Sequence, residues 1–197
     1  MRYDVVIIGA GAAGFACALT LGSANDKFDW AKDKKYLILD DNKSDLNVGK
    51  YFNVAGVDSG INGVDLLLKM KKQLEIYKDV ELKDEKATKI ENLGEYFKIT
   101  TENSTYEASI VVLATGLHKF DIECEGVNVK DNIFVPKPNN IYLENSNNLI
   151  SKNLYVVGLA SVVTSMFSCA SGDGAKVACD IFKLWSGKIA VVHDVKA

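Results

Sequence analysis

The 197-residue sequence contains only two prolines, two histidines and four cysteines. No C-x-x-C pair occurs among Cys17, Cys124, Cys169 and Cys179, and only His118 and His193 are available to complete a cluster. A structural zinc site, an iron–sulphur centre and a local redox dithiol are therefore disfavoured, and free thiols suit a reducing compartment. There is no excess of positive charge either: 23 Lys and Arg against 26 Asp and Glu leave −3 at pH 7. Without a basic field to attract phosphate backbones or anionic lipid, neither nucleic acid nor a membrane is expected as a partner. No apolar stretch approaches the roughly 18 residues of a membrane span. The N-terminal apolar run meets glycines too early for a signal peptide, so a cytoplasmic protein is expected. Internal repeats, low-complexity tracts and charge blocks are also missing.

What is present is 48% apolar residues and 15 glycines, enough for one globular domain that buries about 70% of its unfolded surface. Residues 3–8 (YDVVII) hold a continuous apolar run bounded by Asp4 and Gly9, the pattern of a parallel-sheet strand buried on both faces. Residues 12–21 are rich in small helix formers, and residues 36–39 (YLIL) make a second strand that runs into Asp40 and Asp41. Residues 63–78 place Leu66, Leu67, Met70, Leu74 and Tyr77 at helical spacing with lysines opposite. Short alternating segments at 80–82, 87–90, 96–100 and 104–108 predict a small antiparallel insertion. Residues 109–114 and 153–158 are further buried strands, and 172–185 reads as the last helix. Residues 117–152 hold Pro136 and Pro138 and read as loop with room for two short strands, and the last ten residues read as an edge strand or a tail. The whole is an α/β, Rossmann-like fold: a central parallel sheet with a small antiparallel β insertion.

The chemistry concentrates between the first strand and the first helix. Gly9-Ala10-Gly11-Ala12-Ala13-Gly14 is a G-x-G-x-x-G sequence placed where a dinucleotide motif requires it. Gly9 permits a tight turn, Gly11 lets backbone approach a pyrophosphate, and Gly14 lets helix and sheet close up. The helix N-terminus aims N–H groups and a partial positive charge at the phosphates. Asp40, at the end of the second strand, would accept from ribose hydroxyls, with Asp41 the alternative. The 26-residue spacing from Gly14 to Asp40 exceeds the usual ~20, and the connection carrying Trp30 absorbs the excess.

This motif does not choose between NAD and FAD. Val111 to Gly116 (VVLATG), the distant NLYVVG at 153–158 and a glycine-containing helix after it resemble the two-dinucleotide-binding-domain flavoproteins, most closely thioredoxin reductase-like NAD(P)/FAD oxidoreductases. Asn53-Val54-Ala55-Gly56 followed by Gly63-Val64-Asp65-Leu66-Leu67 is similar to the flavin-side segment and helix of that group. The resemblance covers about 1–118 and 153–186 and implies an FAD-binding domain. By motif position it implies FAD contacts at Gly9, Gly11, Ala12, Ala13, Gly14, Asp40, the Ala87 backbone, Ala114, Thr115, Gly116, Gly158, Met166 and Phe167.

Three departures limit what the resemblance implies. Between the A-T-G turn and the final strand, relatives place a whole NAD(P) domain of ~100 or more residues. Here only the 36 residues 117–152 stand there, a short linker in a single domain spanning 1–197. The C-x-x-C dithiol is missing, so electrons have no internal dithiol exit. Leu159 occupies the place of the acid in the Gly-Asp motif, so that one hydrogen bond to the ribityl side is lost or replaced. The implied protein is an FAD oxidoreductase reduced by an external donor: NAD(P)H, a ferredoxin or flavodoxin, or a partner subunit, with a homodimer also in view. The alternatives are a non-catalytic FAD-binding or redox-sensing module and a single-domain NAD-binding protein.

The remaining candidates have plainer readings. Cys169 reads first as a small buried residue, and second as a flavin-adjacent thiol ahead of a Gly172-Asp173-Gly174 turn. His118 reads as a loop surface residue, or as a proton donor at the flavin mouth. Tyr51, Phe52, Met166 and Phe167 are core or flavin-pocket side chains. Ser165, Ser168 and Ser171 lack a histidine and acid at hydrolase spacing.

Overall fold

In a computed structural model, residues 2–192 except 133 and 136 are described. The apolar run at the N-terminus becomes β1 (Arg2–Ile8), the central strand. β2 (Tyr36–Leu39) pairs with it in parallel on one side, and β8 (Thr105–Leu113) in parallel on the other. Between β1 and β2 lies α1 (Ala12–Gly22). β3 (Lys50–Tyr51) and β4 (Ile61–Asn62) form a separate ribbon. That ribbon leads into α2 (Gly63–Leu74), whose Asn62 cap accepts from the Asp65 N–H and whose last turn carries Lys71 and Lys72.

Beyond α2 comes β5 (Val80–Lys83), then the hairpin β6 (Ala87–Asn92) and β7 (Phe97–Thr101), which leads into β8. The short β9 (Glu123–Cys124), β10 (Val129–Asp131), β11 (Ile141–Leu143) and β12 (Leu149–Ser151) precede β13 (Leu154–Val156) and α3 (Phe167–Ser186).

Side chains alternate across the sheet as the period of two requires. Val5 and Ile7 join one fully buried cluster with α1, α2 and α3, while Val6 and Ile8 join another with β6, β7 and residues 117–156.

Four details correct the sequence-based expectations. Residues 80–83 pair in parallel with β2, so β5 extends the parallel sheet and is no part of the antiparallel insertion. The expected separate strands 104–108 and 109–114 are one strand, β8. Its first half is antiparallel to β7, and its last three residues are parallel to β13. The described residues of 117–152 contain four short strands, where loop with room for two was expected.

The last helix begins at Phe167, five residues before Gly172. Glycine propensity alone suggested a break there, yet Gly174 is needed for close packing: a Cβ on it would lie 2.0 Å from the Ala13 carbonyl oxygen. Gly172-Asp173-Gly174 is therefore a helical segment where α3 crosses α1, and no turn. Residues 188–192 have no regular structure, while Pro136 and His193 lie outside the described residues. Among the described residues no helix is long and apolar enough to cross a membrane.

Candidate functional site

The strands β5, β2, β1, β8 and β13 run in parallel, so the chain leaves all of them at one carboxyl edge of the sheet. That edge collects residues 84–87, Asp40 and Asp41, the glycine loop, Ala114-Thr115-Gly116 and Gly158. Ligands of open α/β sheets bind in the crevice outside such an edge.

The glycine loop is shaped by backbone contacts. Gly9 adopts φ +106 and donates its N–H to the Leu39 carbonyl at 2.8 Å, and a Cβ there would be 2.5 Å from the Ala114 oxygen. Gly14 packs so closely that a Cβ would stand 1.9 Å from the Gly9 oxygen. Gly11 caps α1 with no side-chain hydrogen bond, and no acid stands in the first turn. The leading N–H groups of α1 thus point to the edge with a partial positive charge and no side-chain acceptor from a cap. Ala12 and Ala13 are buried, and Ala13 also bears the crossing with Gly158 and Gly174.

Asp40 is half-buried. Its Oδ1 accepts from the Ala10 N–H at 2.8 Å and its Oδ2 from the Asn42 N–H at 3.2 Å, leaving lone pairs on both oxygens for ribose hydroxyls. Burial pushes its carboxyl above the usual range, the two N–H donors pull it down, and the Asp41 and Asp84 carboxylates add to the rise. Asp41 is exposed and bonds locally to the Lys43 N–H at 3.2 Å. Ala87 is buried at the start of β6, next to Lys86, which pairs with Asp121 at 2.7 Å.

The folded chain holds the Asp40 proton to higher pH than the unfolded chain, so ionising it costs stability as pH rises through the window above about 3.9, the ordinary value. Relative to Asp40→Asn, the ligand-free wild type is expected to lose stability as pH rises from about 4 toward neutrality. Thermal melts of both across that range check this. A wild type that gains on the variant with rising pH would contradict it.

At the A-T-G turn, the Ala114 N–H donates to the Ile8 carbonyl at 2.8 Å and Gly116 takes φ +72. The Thr115 hydroxyl is sealed from solvent with no hydrogen-bond partner among the described residues. An orphaned hydroxyl at the end of a central strand is what a bound polar ligand would satisfy. The glycine cradle, the acid at the end of β2 and this hydroxyl fit the adenosine and pyrophosphate portions of a dinucleotide.

The downstream residues are less uniform. Gly158 adopts φ +74, and a Cβ there would be 2.9 Å from the Ala13 Cβ. Leu159 packs, half-buried, against the core, so its side chain supplies no acceptor. The nearby carboxylate is Asp173, which accepts from the Gly158 N–H at 2.8 Å, the Ser161 hydroxyl at 2.6 Å and the Asn148 amide at 2.9 Å. Met166 caps α3 without a side-chain bond and no acid follows in the first turn. Phe167 meets Tyr51 with ring centroids 6.4 Å apart, so these two gather at the α3 N-terminus. Phe52, 72% exposed, belongs to neither the core nor that cluster.

One reading of a single residue changes, and another gains a partner. Cys169 is exposed on the first turn of α3, because α3 starts upstream of it and turns that position outward, whereas a buried site was the first expectation. His118 is exposed, as expected of a loop surface residue, and has a partner, Asp45, with Nε2 3.0 Å from Oδ1. Cys17 is fully buried and burial raises its thiol; Cys179 is half-buried and shifted the same way. Among the described residues no three His, Cys, Asp or Glu side chains gather as a metal site. Sequence reasoning missed Asp173, Asn148 and Asp45. Asp173 was masked by its flanking glycines, and the other two sit in loops whose path no periodicity reveals.

Comparison with known proteins gives the family and the fold. A family model described as pyridine nucleotide-disulphide oxidoreductase matches residues 3–181. Thioredoxin reductase of Treponema pallidum is 32% identical over 114 residues, and the match covers 58% of this chain but only 35% of that protein. A thioredoxin reductase structure from Gloeobacter violaceus superposes with a TM-score of 0.77 at 16% identity, covering 99% of each chain. A ferredoxin-flavin thioredoxin reductase from Clostridium acetobutylicum gives 0.69 at 14% identity, covering 95% of this chain and 98% of that one.

Proposed function

Because the chain belongs to the pyridine nucleotide-disulphide oxidoreductase family, we propose that it is an FAD-binding oxidoreductase domain that takes its electrons from an external donor. The observation that supports this most is the carboxyl edge itself: the glycine cradle, Asp40 and the sealed Thr115 hydroxyl stand together there.

In this reading the N–H groups of Gly11, Ala12 and Ala13 hold the pyrophosphate, with Gly9 and Gly14 keeping the loop tight. Asp40, with Asp41 as the alternative, accepts from the ribose, and the Ala87 backbone borders the adenine end. Ala114, Thr115, Gly116 and Gly158 line the path toward the N-terminus of α3. There the first-turn N–H groups of α3, beside Met166 and Phe167, place a positive dipole end where a reduced flavin would carry negative charge. When bound, FAD supplies two-electron redox chemistry, and the protein contributes binding, orientation and electrostatics.

Residues 1–197 are proposed to be one FAD domain, with 117–152 standing where relatives carry a nucleotide domain. With no C-x-x-C in the sequence, electrons would pass directly between the flavin and freely diffusing NAD(P)H, a ferredoxin- or flavodoxin-like protein, or a partner subunit. The free thiols suit the cytoplasm. A homodimer through α2 is part of the reading: Val64 and Leu68 are exposed one turn apart. An antiparallel α2 pair would set Asp65 of one copy toward Lys71 and Lys72 of the other, and light scattering reads that assembly.

Calorimetric titration of ligand-free protein with FAD and with NAD tests the cofactor. One FAD per chain is expected, bound at least tenfold more tightly than NAD. A preference for NAD would replace this reading with a single-domain NAD-binding protein.

A further inference from the structure

One short segment links the two glycine turns at the carboxyl edge. The 3-10 turn Asp45–Val48 follows β2, and its inner side is fixed to the body of the fold. Leu46 is buried, and its carbonyl oxygen lies where a Cβ on Gly63 would come within 1.5 Å. The Gly63 N–H donates to the Gly49 carbonyl at 2.9 Å, and the Tyr51 hydroxyl reaches the Leu46 carbonyl at 3.4 Å.

The outer side of the turn faces the site. The Ser44 hydroxyl accepts from the Leu46 N–H at 3.3 Å and stands 3.5 Å from where a Cβ on Gly11 would lie. Asp45 Oδ2 is 4.0 Å from the same point on Gly116, while Oδ1 meets His118 Nε2 at 3.0 Å. The segment therefore spans from the pyrophosphate loop after β1 to the A-T-G turn after β8, and the Asp45–His118 pair ties its free edge to the far side. Neighbouring charges have other partners: Lys43 pairs with Asp41 at 3.8 Å, and Lys119 with Asp121 at 3.5 Å. Tyr51 is the other titratable group that feels Asp45; burial raises its hydroxyl and the Asp45 carboxylate adds to the rise.

We propose that His118 and Asp45 form a clasp that holds the 44–48 segment across the dinucleotide site and slows release of the cofactor. The proposal rests on the FAD reading. It makes His118 and Asp45 positioning residues acting through Ser44 and the turn. The two side chains are 66% and 50% exposed, so removing either leaves the core intact. An exposed pair contributes little to folding; its effect falls instead on how readily the outer edge of the turn, with Ser44 and Asp45, gives way while the Leu46 side stays anchored.

The test measures FAD dissociation from the reconstituted protein, by recovery of free-flavin fluorescence after dilution, for His118→Ala, Asp45→Ala and the double variant. Each single change is expected to speed release two- to fivefold, the range open to an exposed pair. The double variant should release no faster than either single, because each change breaks the same contact. His118→Gln, which keeps a donor, should restore part of the retention. Melts of the ligand-free variants should match wild type, separating a clasp from a general loss of stability. Release rates equal to wild type, or single effects that add in the double variant, overturn the clasp while leaving the FAD reading standing. A wild-type chain that binds no FAD removes that reading and the clasp with it.

Discussion

Gly14→Ala is expected to abolish measurable dinucleotide binding and to destabilise the chain by about 3 kcal/mol, at the upper end of overpacking costs. The added Cβ would sit 1.9 Å from the Gly9 oxygen and 3.0 Å from its carbon. Both atoms belong to backbone, so no side chain can rotate away. The Gly9 peptide is itself held by its hydrogen bond to Leu39 and by the Ala114 carbonyl against Gly9, so the strain has to move α1 as a whole. Moving α1 displaces the first-turn N–H groups that define the anion site, so stability and binding fail together. Gly172→Ala is the contrasting change. Gly172 is exposed inside α3 with open space around its Cβ position, and alanine there should stabilise by about 0.5–1 kcal/mol through helix propensity. Urea unfolding of both variants checks the pair. A Gly14→Ala protein as stable as wild type would show that the loop is slack and the cradle misassigned.

Asp173→Ala should cost a comparable amount, about 3 kcal/mol, because it leaves several donors without an acceptor. The carboxylate receives the Gly158 N–H, the Ser161 hydroxyl and the Asn148 amide. Asn148 is buried at φ +72, also donates to the Val156 carbonyl at 2.9 Å, and takes Lys176 Nζ on its own oxygen at 3.0 Å. One side chain of α3 thereby fixes the turn leaving β13, the 3-10 turn Gly158–Ser161 and the end of the 117–152 segment. With it gone, Gly158 loses its place beside Ala13, and FAD affinity should fall at least tenfold alongside stability. Asp173→Asn keeps one acceptor and should lie between the two. Equilibrium unfolding together with FAD titration reads both effects. A loss under about 0.5 kcal/mol would mean that water replaces the carboxylate and that the network does not organise the turn.

The parts of this site legible in the sequence are those with a short period or a fixed motif. β1, α1 and β2 follow from an unbroken apolar run, a stretch of small residues and a second run ending in acids, and the G-x-G-x-x-G sequence marks the loop between them. Gly9 and Gly14 have the tight contacts their motif positions imply, and Asp40 lies at the strand end and reaches back to Ala10.

What stayed hidden depends on long-range packing. Residues 80–82 read as one alternating segment among several, because only pairing with β2 shows that β5 is parallel. Gly172 and Gly174 looked like a break because propensity is local, while the reason for Gly174 is the backbone of α1 pressed against it. Asp173 and Asn148, 25 positions apart, meet through the crossing of α3 and the return of residues 117–152. Asp45 and His118 belong to separate loops that the parallel sheet alone brings to one edge.

The central claim is that this carboxyl edge holds FAD, and the absorbance spectrum of the purified protein, followed by heat release and identification of any chromophore, tests it most directly. The expected result is a yellow protein whose released chromophore is FAD, in about one copy per chain, with Gly14→Ala purified colourless. A colourless wild-type protein that also fails to take up added FAD would contradict it.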